Sequence, residues 1–251
     1  MNIDLIILAI RNVGILNSGG MEKTGEKYVI DNLLPKKINT NNPIIIDVGG
    51  NIEEYSVFLK KAYPTARIFT FEPNPKAFYE MKKKLAKFDN ITCENMGLGT
   101  EVGTKQMFSY SKVENSTLGT LNKQALSELY KVDDQIEEIK FSMNTLDNYC
   151  AQKNIPAIDF IKIDTEGWEL PVLKGAENMI KKNKIKIIQF EFNNFNVYYR
   201  IFLKDFYDLL KNYNFYRTHS KGLIPLGEYD TINEIFKFQN IVAILNNLEN
   251  K

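Results

Sequence analysis

The sequence predicts an α/β fold: a Rossmann-like sheet, mostly parallel with an antiparallel edge strand, and helices on both faces. Three observations carry this. Apolar, β-branched runs alternate with apolar stripes at helical spacing. The first run ends in a glycine turn, and the second ends in an acid about 20 residues on, the layout of a nucleotide-binding half-fold. The last two runs have no helix between them, which puts an antiparallel strand at an edge.

The elements follow in order. Residues 1–40 form an accessory segment, set apart from a 41–251 domain. Ile3 to Ile10 is apolar except for Asp4. It is too short to span a bilayer and lacks a basic leader, so a packed N-terminal element of a soluble protein is expected. Asn17-Ser18-Gly19-Gly20 breaks the chain, and Thr24 to Leu34 is loosely helical. Ile44 to Val48 is a strand buried on both faces. Tyr55, Phe58, Leu59 and Ala62 mark one face of a helix that Pro64 stops. Arg67 to Phe71 is the second strand, and Asn74-Pro75 opens the next helix as N-cap and first position. Ile91 to Asn95 is the third strand. Residues 111–142 interrupt the alternation and read either as a substrate-side lid or as a hairpin with a structural helix. Leu146 to Lys153 is a short helix. Ile158 to Ile163 and Ile185 to Phe192 are the fourth and fifth strands, separated by a helix carrying Leu170, Leu173, Ala176 and Ile180. Phe202, Phe206, Leu209, Leu210 and Tyr213 form another helical stripe. Asn214 to Thr218 and Asn240 to Leu245 close the sheet across a long loop.

Composition bounds the function. Lysine and arginine number 32 against 31 aspartate and glutamate, so nothing favours nucleic acid or an anionic membrane. Cys93 and Cys150 have no metal spacing and suit a reduced, cytoplasmic setting. Ligands of such sheets sit beyond the strands' carboxyl ends. There the sequence places Asp47 to Asn51, Glu72, Asp164 and Glu191. A dinucleotide wants G-x-G-x-x-G, but the turn runs Gly49-Gly50-Asn51-Ile52-Glu53-Glu54. Two carboxylates beside a pyrophosphate are unfavourable, which disfavours a nicotinamide-dependent oxidoreductase. A cationic sulfonium cofactor without phosphate fits better.

These residues carry a family resemblance. Asp47-Val48-Gly49-Gly50-Asn51-Ile52-Glu53-Glu54-Tyr55-Ser56, Glu72-Pro73-Asn74-Pro75 and the block from Lys162 to Ala176 (KIDTEGWELPVLKGA) resemble the FkbM-type S-adenosylmethionine-dependent methyltransferases. Thr145-Leu146-Asp147 also fits. The resemblance spans roughly residues 42–195. It implies a class I methyltransferase sheet and S-adenosylmethionine as cofactor. By the resemblance, Asp47, Gly49 and Asn51 would line the methionine side, with Gly50, Glu53, Tyr55 and Ser56 in the same site. Glu72, with Pro73, would bind the ribose hydroxyls, and Asn95, Met96 and Gly97 would flank the adenine. Where the family has glycine this chain has Glu53, which would either crowd the cofactor or accept a hydrogen bond from its amino group. If it blocks the site, the chain is a degenerate module without activity.

The implied reaction is in-line methyl transfer to a hydroxyl of a sugar, a glycan or a secondary metabolite. Candidate bases are Asp164, Glu191 and His219. Asp164 could instead cap a helix, and His219 could be a surface residue. Glu166 and Glu169 could satisfy backbone N–H groups of the same turn. Trp168, Tyr198 and Tyr199 could stack on a sugar, line the acceptor pocket or simply pack. Asp164 and Glu191 could hold Mg²⁺ with waters, but their spacing is no ligand signature, and no metal is expected. The expected partner is a small-molecule or glycan acceptor, not nucleic acid or membrane. Nothing in the sequence specifies an oligomeric state.

Overall fold

The computed structural model describes residues 3–51, 54–110, 119–131 and 136–248 of the 251. In chain order the helices are α1 (Ile3–Asn12), α2 (Met21–Thr24), α3 (Glu26–Tyr28), α4 (Leu34–Lys37), α5 (Glu54–Ala62), α6 (Pro75–Leu85), α7 (Lys123–Tyr130), α8 (Leu146–Gln152), α9 (Glu169–Lys174), α10 (Glu177–Lys181), α11 (Phe195–Tyr199) and α12 (Leu203–Leu209). The strands are β1 (Ile44–Val48), β2 (Arg67–Phe71), β3 (Ile91–Glu94), β4 (Gly97–Leu98), β5 (Gly103–Tyr110), β6 (Gly119–Thr120), β7 (Ile136–Asn144), β8 (Ile158–Ile163), β9 (Ile185–Phe192), β10 (Tyr213–His219), β11 (Gly222–Pro225) and β12 (Gln239–Leu245).

Among the described residues the main sheet has eight strands in the order β11-β10-β12-β9-β8-β1-β2-β3. β1 pairs in parallel with both β2 and β8, and β8 pairs in parallel with β9. The chain therefore winds outward from β1 in one direction and from β8 in the other. Between them lies the switch point of a Rossmann-like sheet. β12 runs antiparallel between β9 and β10, giving the antiparallel edge that two helix-free strands predict. The register aligns Val48 with Phe71 on one side and with Ile163 on the other, and Ile163 with Phe190. The residues after these positions all emerge at one edge, so Gly49, Glu72, Asp164 and Glu191 share it.

Both faces are covered. One core packs Phe71, Ile161, Phe190 and Phe206 with Leu146, Leu173 and Leu203. Phe190 and Phe206 stack with centroids 4.2 Å apart. The other packs Ile45, Ile68, Phe160 and Ile187 under Leu59 and the N-terminal Val29, Ile30, Leu33 and Leu34. A π-turn at Val29–Leu33 joins α3 to α4. Its wider winding presents Val29, Ile30 and Leu33 to the sheet and accounts for the loose helical spacing there.

Three expectations need correction. α1 is helical but buries no residue, with Ile3 71% and Leu5 64% exposed. Among the described residues none of its side chains joins either core, and the π-turn, α4 and α5 supply the cover on that side of the sheet. The helix expected over Leu170 to Ile180 is two helices, α9 and α10. Gly175 lies between them, where a Cβ would come within 2.0 Å of Gly99 O. The long loop after β10 contains the edge strand β11, which pairs antiparallel with β10. Its four residues lie among turn formers and leave no periodic signal. The 111–142 insertion belongs to a second, four-stranded sheet ordered β4-β7-β5-β6. Within it, residues 111–118 and 132–135 lie outside the described residues.

Phe190 is fully buried between β9's neighbours and α12. Phe190→Ala is expected to cost about 3–5 kcal/mol of unfolding free energy in chemical denaturation. A loss below about 1 kcal/mol would mean that the stacked pair does not anchor this face.

Candidate active site

Two turns build the site, and each is held by its own sequence. After β1, Gly49 has φ +82° and passes so close to β8's end that a Cβ would lie 1.8 Å from Asp164 O. A Cβ on Gly50 would lie 2.2 Å from Thr70 Oγ1. Both glycines are therefore fixed by close approach, not by flexibility. Their N–H groups donate to Phe71 O at 3.0 Å each. Behind the turn, Ser56 Oγ donates to Asp47 Oδ2 at 2.7 Å, and both residues are fully buried. Asp47 thus ties the strand to the start of α5.

Glu72 spans the gap between the first two strand tips. It accepts from Asn51 N at 3.0 Å and from Asn74 N at 2.8 Å. Asn74 in turn caps α6 by accepting from Lys76 N. Each Glu72 oxygen keeps a lone pair for a further donor. Burial pushes its carboxyl up to about 7, against the pull of the two backbone N–H groups.

The second turn, Asp164-Thr165-Glu166-Gly167, follows β8. Glu169 Oε1 accepts from Thr165 N (2.8 Å), Thr165 Oγ1 (3.1 Å) and Gly167 N (3.2 Å). That is the N–H satisfying role expected of it. Glu166 takes a left-handed φ of 52° and Gly167 one of 95°. The Tyr199 ring would lie 2.6 Å from a Cβ on Gly167. Thr120 Oγ1 bonds Tyr199 Oη at 2.8 Å and Glu166 O at 3.2 Å. A non-glycine residue held left-handed costs about 1–3 kcal/mol, and such residues cluster where position matters. Burial, then the charges of Asp164 and Glu169, push the Glu166 carboxyl up to about 8.

Between the two turns sits a buried cation. Lys162 Nζ is 2.9 Å from Asp164 Oδ2, 3.9 Å from Glu26 Oε1 and 4.8 Å from the centre of the Tyr55 ring. Burial opposes its charge most strongly, but Asp164, Glu26 and Asp47 together hold it above the ordinary lysine value. Burial raises Asp47 and Glu26, with Lys162 opposing in both cases.

These parts enclose a cavity of about 270 Å³. Of the residues predicted for the site, Gly49, Gly50, Asn51, Tyr55, Glu72, Pro73, Met96, Gly97 and Asp164 line it. Asp47 and Ser56 stand behind the glycine turn. Asn95 is exposed and donates to Glu72 O and Pro73 O, so it steadies the wall without facing inward. Glu191 is buried beside the cavity and bonded to Asn193. Burial, then Asp164 and Glu166, push its carboxyl well up. His219 lies away from the cavity at the end of β10, where its Nδ1 accepts from Lys221 N. Glu53 lies outside the described residues. Trp168 lines the wall, whereas Tyr199 packs behind it and Tyr198 reaches Glu128. Residues not predicted also line it: Met21 and Glu26 from the N-terminal segment, Lys162, Glu166, and Met107, Leu121, Phe141 and Met143 from the second sheet. Lys162 alone left a usable trace, as a lone cation inside the buried run Ile158 to Ile163.

Residues 47–216, more than half of the chain, match the family profile of the methyltransferase FkbM domain. The chain belongs to this family. Its sheet is accordingly a class I methyltransferase sheet. Among curated relatives of this FkbM-family chain, methyltransferase sdnD of Sordaria araneosa is 31% identical over 55% of this chain and 61% of its own length. The 31-O-demethyl-FK506 methyltransferase FkbM of Streptomyces tacrolimicus is 28% identical over 54% of this chain and 60% of its own. The 2-O-methyltransferase NoeI of Sinorhizobium fredii is 21% identical over 81% and 86%. The chain thus spans about three-fifths of the length of the first two. Among the described residues no helix is long and apolar enough to cross a membrane.

Acids with raised values bind their protons more tightly folded than unfolded. The stability they contribute is full below their ordinary value of 4.5 and is lost as pH rises through about 7 for Glu72 and about 8 for Glu166. The unfolding temperature of the ligand-free chain should fall between about pH 5 and about pH 8, and Glu72→Gln should make the fall shallower. A flat parent profile in calorimetry would contradict this.

Proposed function

We propose that this chain is an S-adenosylmethionine-dependent O-methyltransferase acting on a hydroxyl of a small molecule, a sugar or a glycan. One observation carries the reading. A single cavity joins a glycine turn, a strand-end acid with free lone pairs, and a surplus of carboxyls over cations. The residues fit that cofactor. Gly49 and Gly50 line the cavity with backbone alone, and Asn51 Oδ1 is buried without a hydrogen-bond partner among the described residues. Glu72 would receive the ribose hydroxyls, and Asp164 and Glu26 would face the cationic end. When bound, the cofactor supplies a methyl group on a sulfonium, open to in-line displacement.

The chain's own part is to orient the acceptor, exclude water and take up a proton. Alignment can supply about 7–11 kcal/mol, and a base about 10²–10⁴-fold. Of the three candidate bases only Asp164 lines the cavity, and Glu166 joins it there. A carboxyl near 8 accepts a hydroxyl proton better than an ordinary one. We therefore assign the base to Glu166, with Asp164 held by Lys162 as its neighbour. The names of two relatives, a 2-O-methyltransferase and a 31-O-demethyl-FK506 methyltransferase, support an oxygen acceptor. The apolar second-sheet wall with Trp168 would shape acceptor choice. The free thiols of Cys93 and Cys150 suit a reducing cytoplasm.

Calorimetric titration with S-adenosylhomocysteine should give micromolar binding, about −8 kcal/mol, with none for NAD. Hydroxyl donors favour the ionised Glu72, so affinity should strengthen as pH rises through about 7. Glu72→Ala should weaken binding at least tenfold. Binding of NAD, or of neither ligand, would overturn the proposal.

Once an acceptor is in hand, kcat/KM should rise with pH through about 8, and Glu166→Gln should lower it about 10²-fold or more and remove the rise. An unchanged profile in the variant would move the base to Asp164.

A further inference from the structure

The N-terminal segment contributes a charged group to the cavity, and that group is short of partners. Glu26 lies at the start of α3, with its side chain only 13% exposed. Its Oε2 accepts from Thr24 Oγ1 at 2.8 Å. Its Oε1 has Gln189 Nε2 at 3.4 Å, the limit of a hydrogen bond, and Lys162 Nζ at 3.9 Å, beyond it. Lys162 cannot simply move over. It is held by Asp164 at 2.9 Å and lies over the Tyr55 ring. Glu26 Oε1 is therefore a buried carboxylate oxygen on a cavity wall without a short cationic partner. Such a group is costly unless a cation reaches it.

The segment is also fixed in place. Gly25 has φ +83°, and a Cβ there would lie 2.6 Å from His219 N. Thr218 Oγ1 donates to Thr24 O at 2.6 Å. Thus β10 holds the two residues that lead into Glu26, and His219 serves through its backbone. Met21, from the same segment, lines the cavity beside it.

We propose that Glu26 is the counter-ion for the α-ammonium of the cofactor's amino-acid end, which makes the N-terminal segment part of the cofactor site. This rests on the S-adenosylmethionine reading above. The ammonium would complete Glu26 Oε1 while Lys162 stays with Asp164. A ligand with the same adenosine but no amino-acid end would gain nothing from Glu26.

The test titrates the full chain and Glu26→Gln with S-adenosylhomocysteine and with 5′-methylthioadenosine, which lacks the amino acid. The variant should bind S-adenosylhomocysteine about tenfold or more weakly, as for loss of a charged hydrogen bond. It should bind 5′-methylthioadenosine within about twofold of the parent, which also shows that the adenosine side remains folded. Unchanged S-adenosylhomocysteine affinity would overturn the Glu26 assignment and leave the cofactor reading standing. So would an equal loss for both ligands, which would make Glu26 a folding residue. Failure of the parent chain to bind S-adenosylhomocysteine would overturn both.

Discussion

The site depends on one buried ammonium. Lys162 stands inside a strand whose neighbours are all buried, facing the carboxyls of Asp164, Glu26 and Asp47. Removing an ion from water costs several kcal/mol even after relaxation. One cation cannot offset three carboxyls, so burial shifts part of the cost onto the acids, and Asp47 and Glu26 are both raised. The result is a cavity end with more carboxyls than cations. A pyrophosphate there would meet only repulsion beyond Lys162, which is already committed. A ligand carrying an ammonium and a sulfonium would relieve the imbalance. The carboxyls that disfavour a dinucleotide here are those of Asp164, Glu26 and Asp47, residues other than the Glu53 and Glu54 that disfavour it in the sequence.

The ammonium is useful only because the two turns around it are rigid. Gly49 and Asp164 O approach within a distance that excludes any Cβ, so the tips of β1 and β8 move as one piece. Glu72 bridges the first turn to α6 through two backbone N–H groups, and Glu169 closes the second through Thr165 and Gly167. Each acid thereby fixes a loop. Of the two, Glu72 also faces the cavity, so one side chain both positions the wall and offers lone pairs to a ligand. Glu166 differs: its side chain meets Asn193 after β9, and its backbone is held in a left-handed conformation. Its left-handed backbone and raised proton affinity beside the cavity are the observations on which the proposed base role rests.

The main sheet was legible because its signals are local. Ile44 to Val48 and Ile158 to Ile163 are β-branched runs, and Asn74-Pro75 caps a helix by its own side chain. Glu72 and Asp164 could be placed because strand ends in a parallel sheet share an edge. What sequence did not reveal came from contacts between distant segments. Nothing near Glu26 shows that β10, about 190 residues later, holds the two residues that lead into it. The apolar wall joins Met107 to Phe141 and Met143 across an insertion whose alternation reads equally as hairpin or lid. His219 drew notice for its imidazole, yet the fold uses its backbone. α1 drew a packing prediction from composition alone, but its side chains join neither core, and the π-turn, α4 and α5 supply the cover on that side of the sheet.

The cavity's two ends differ in a way that bears on specificity. The charged end is built entirely from the main sheet and the N-terminal segment. The opposite wall comes from the second sheet, where Phe141 abuts Gly97 so closely that a Cβ would lie 2.5 Å from its ring. That contact lies within the second sheet, between β7 and β4, and β4 begins just after β3, so the second sheet stands at the adenosine side of the proposed site. Under the proposed reaction, changes in Met107, Leu121 or Met143 can then alter acceptor choice without disturbing Lys162, Glu72 or Glu26. Asp164 and Glu166, the carboxyls of the proposed reaction, line the same cavity as both walls. Under the proposed reaction, cofactor affinity would rest on the electrostatics of the main sheet and the N-terminal segment. Acceptor recognition falls to apolar side chains whose substitution costs only packing.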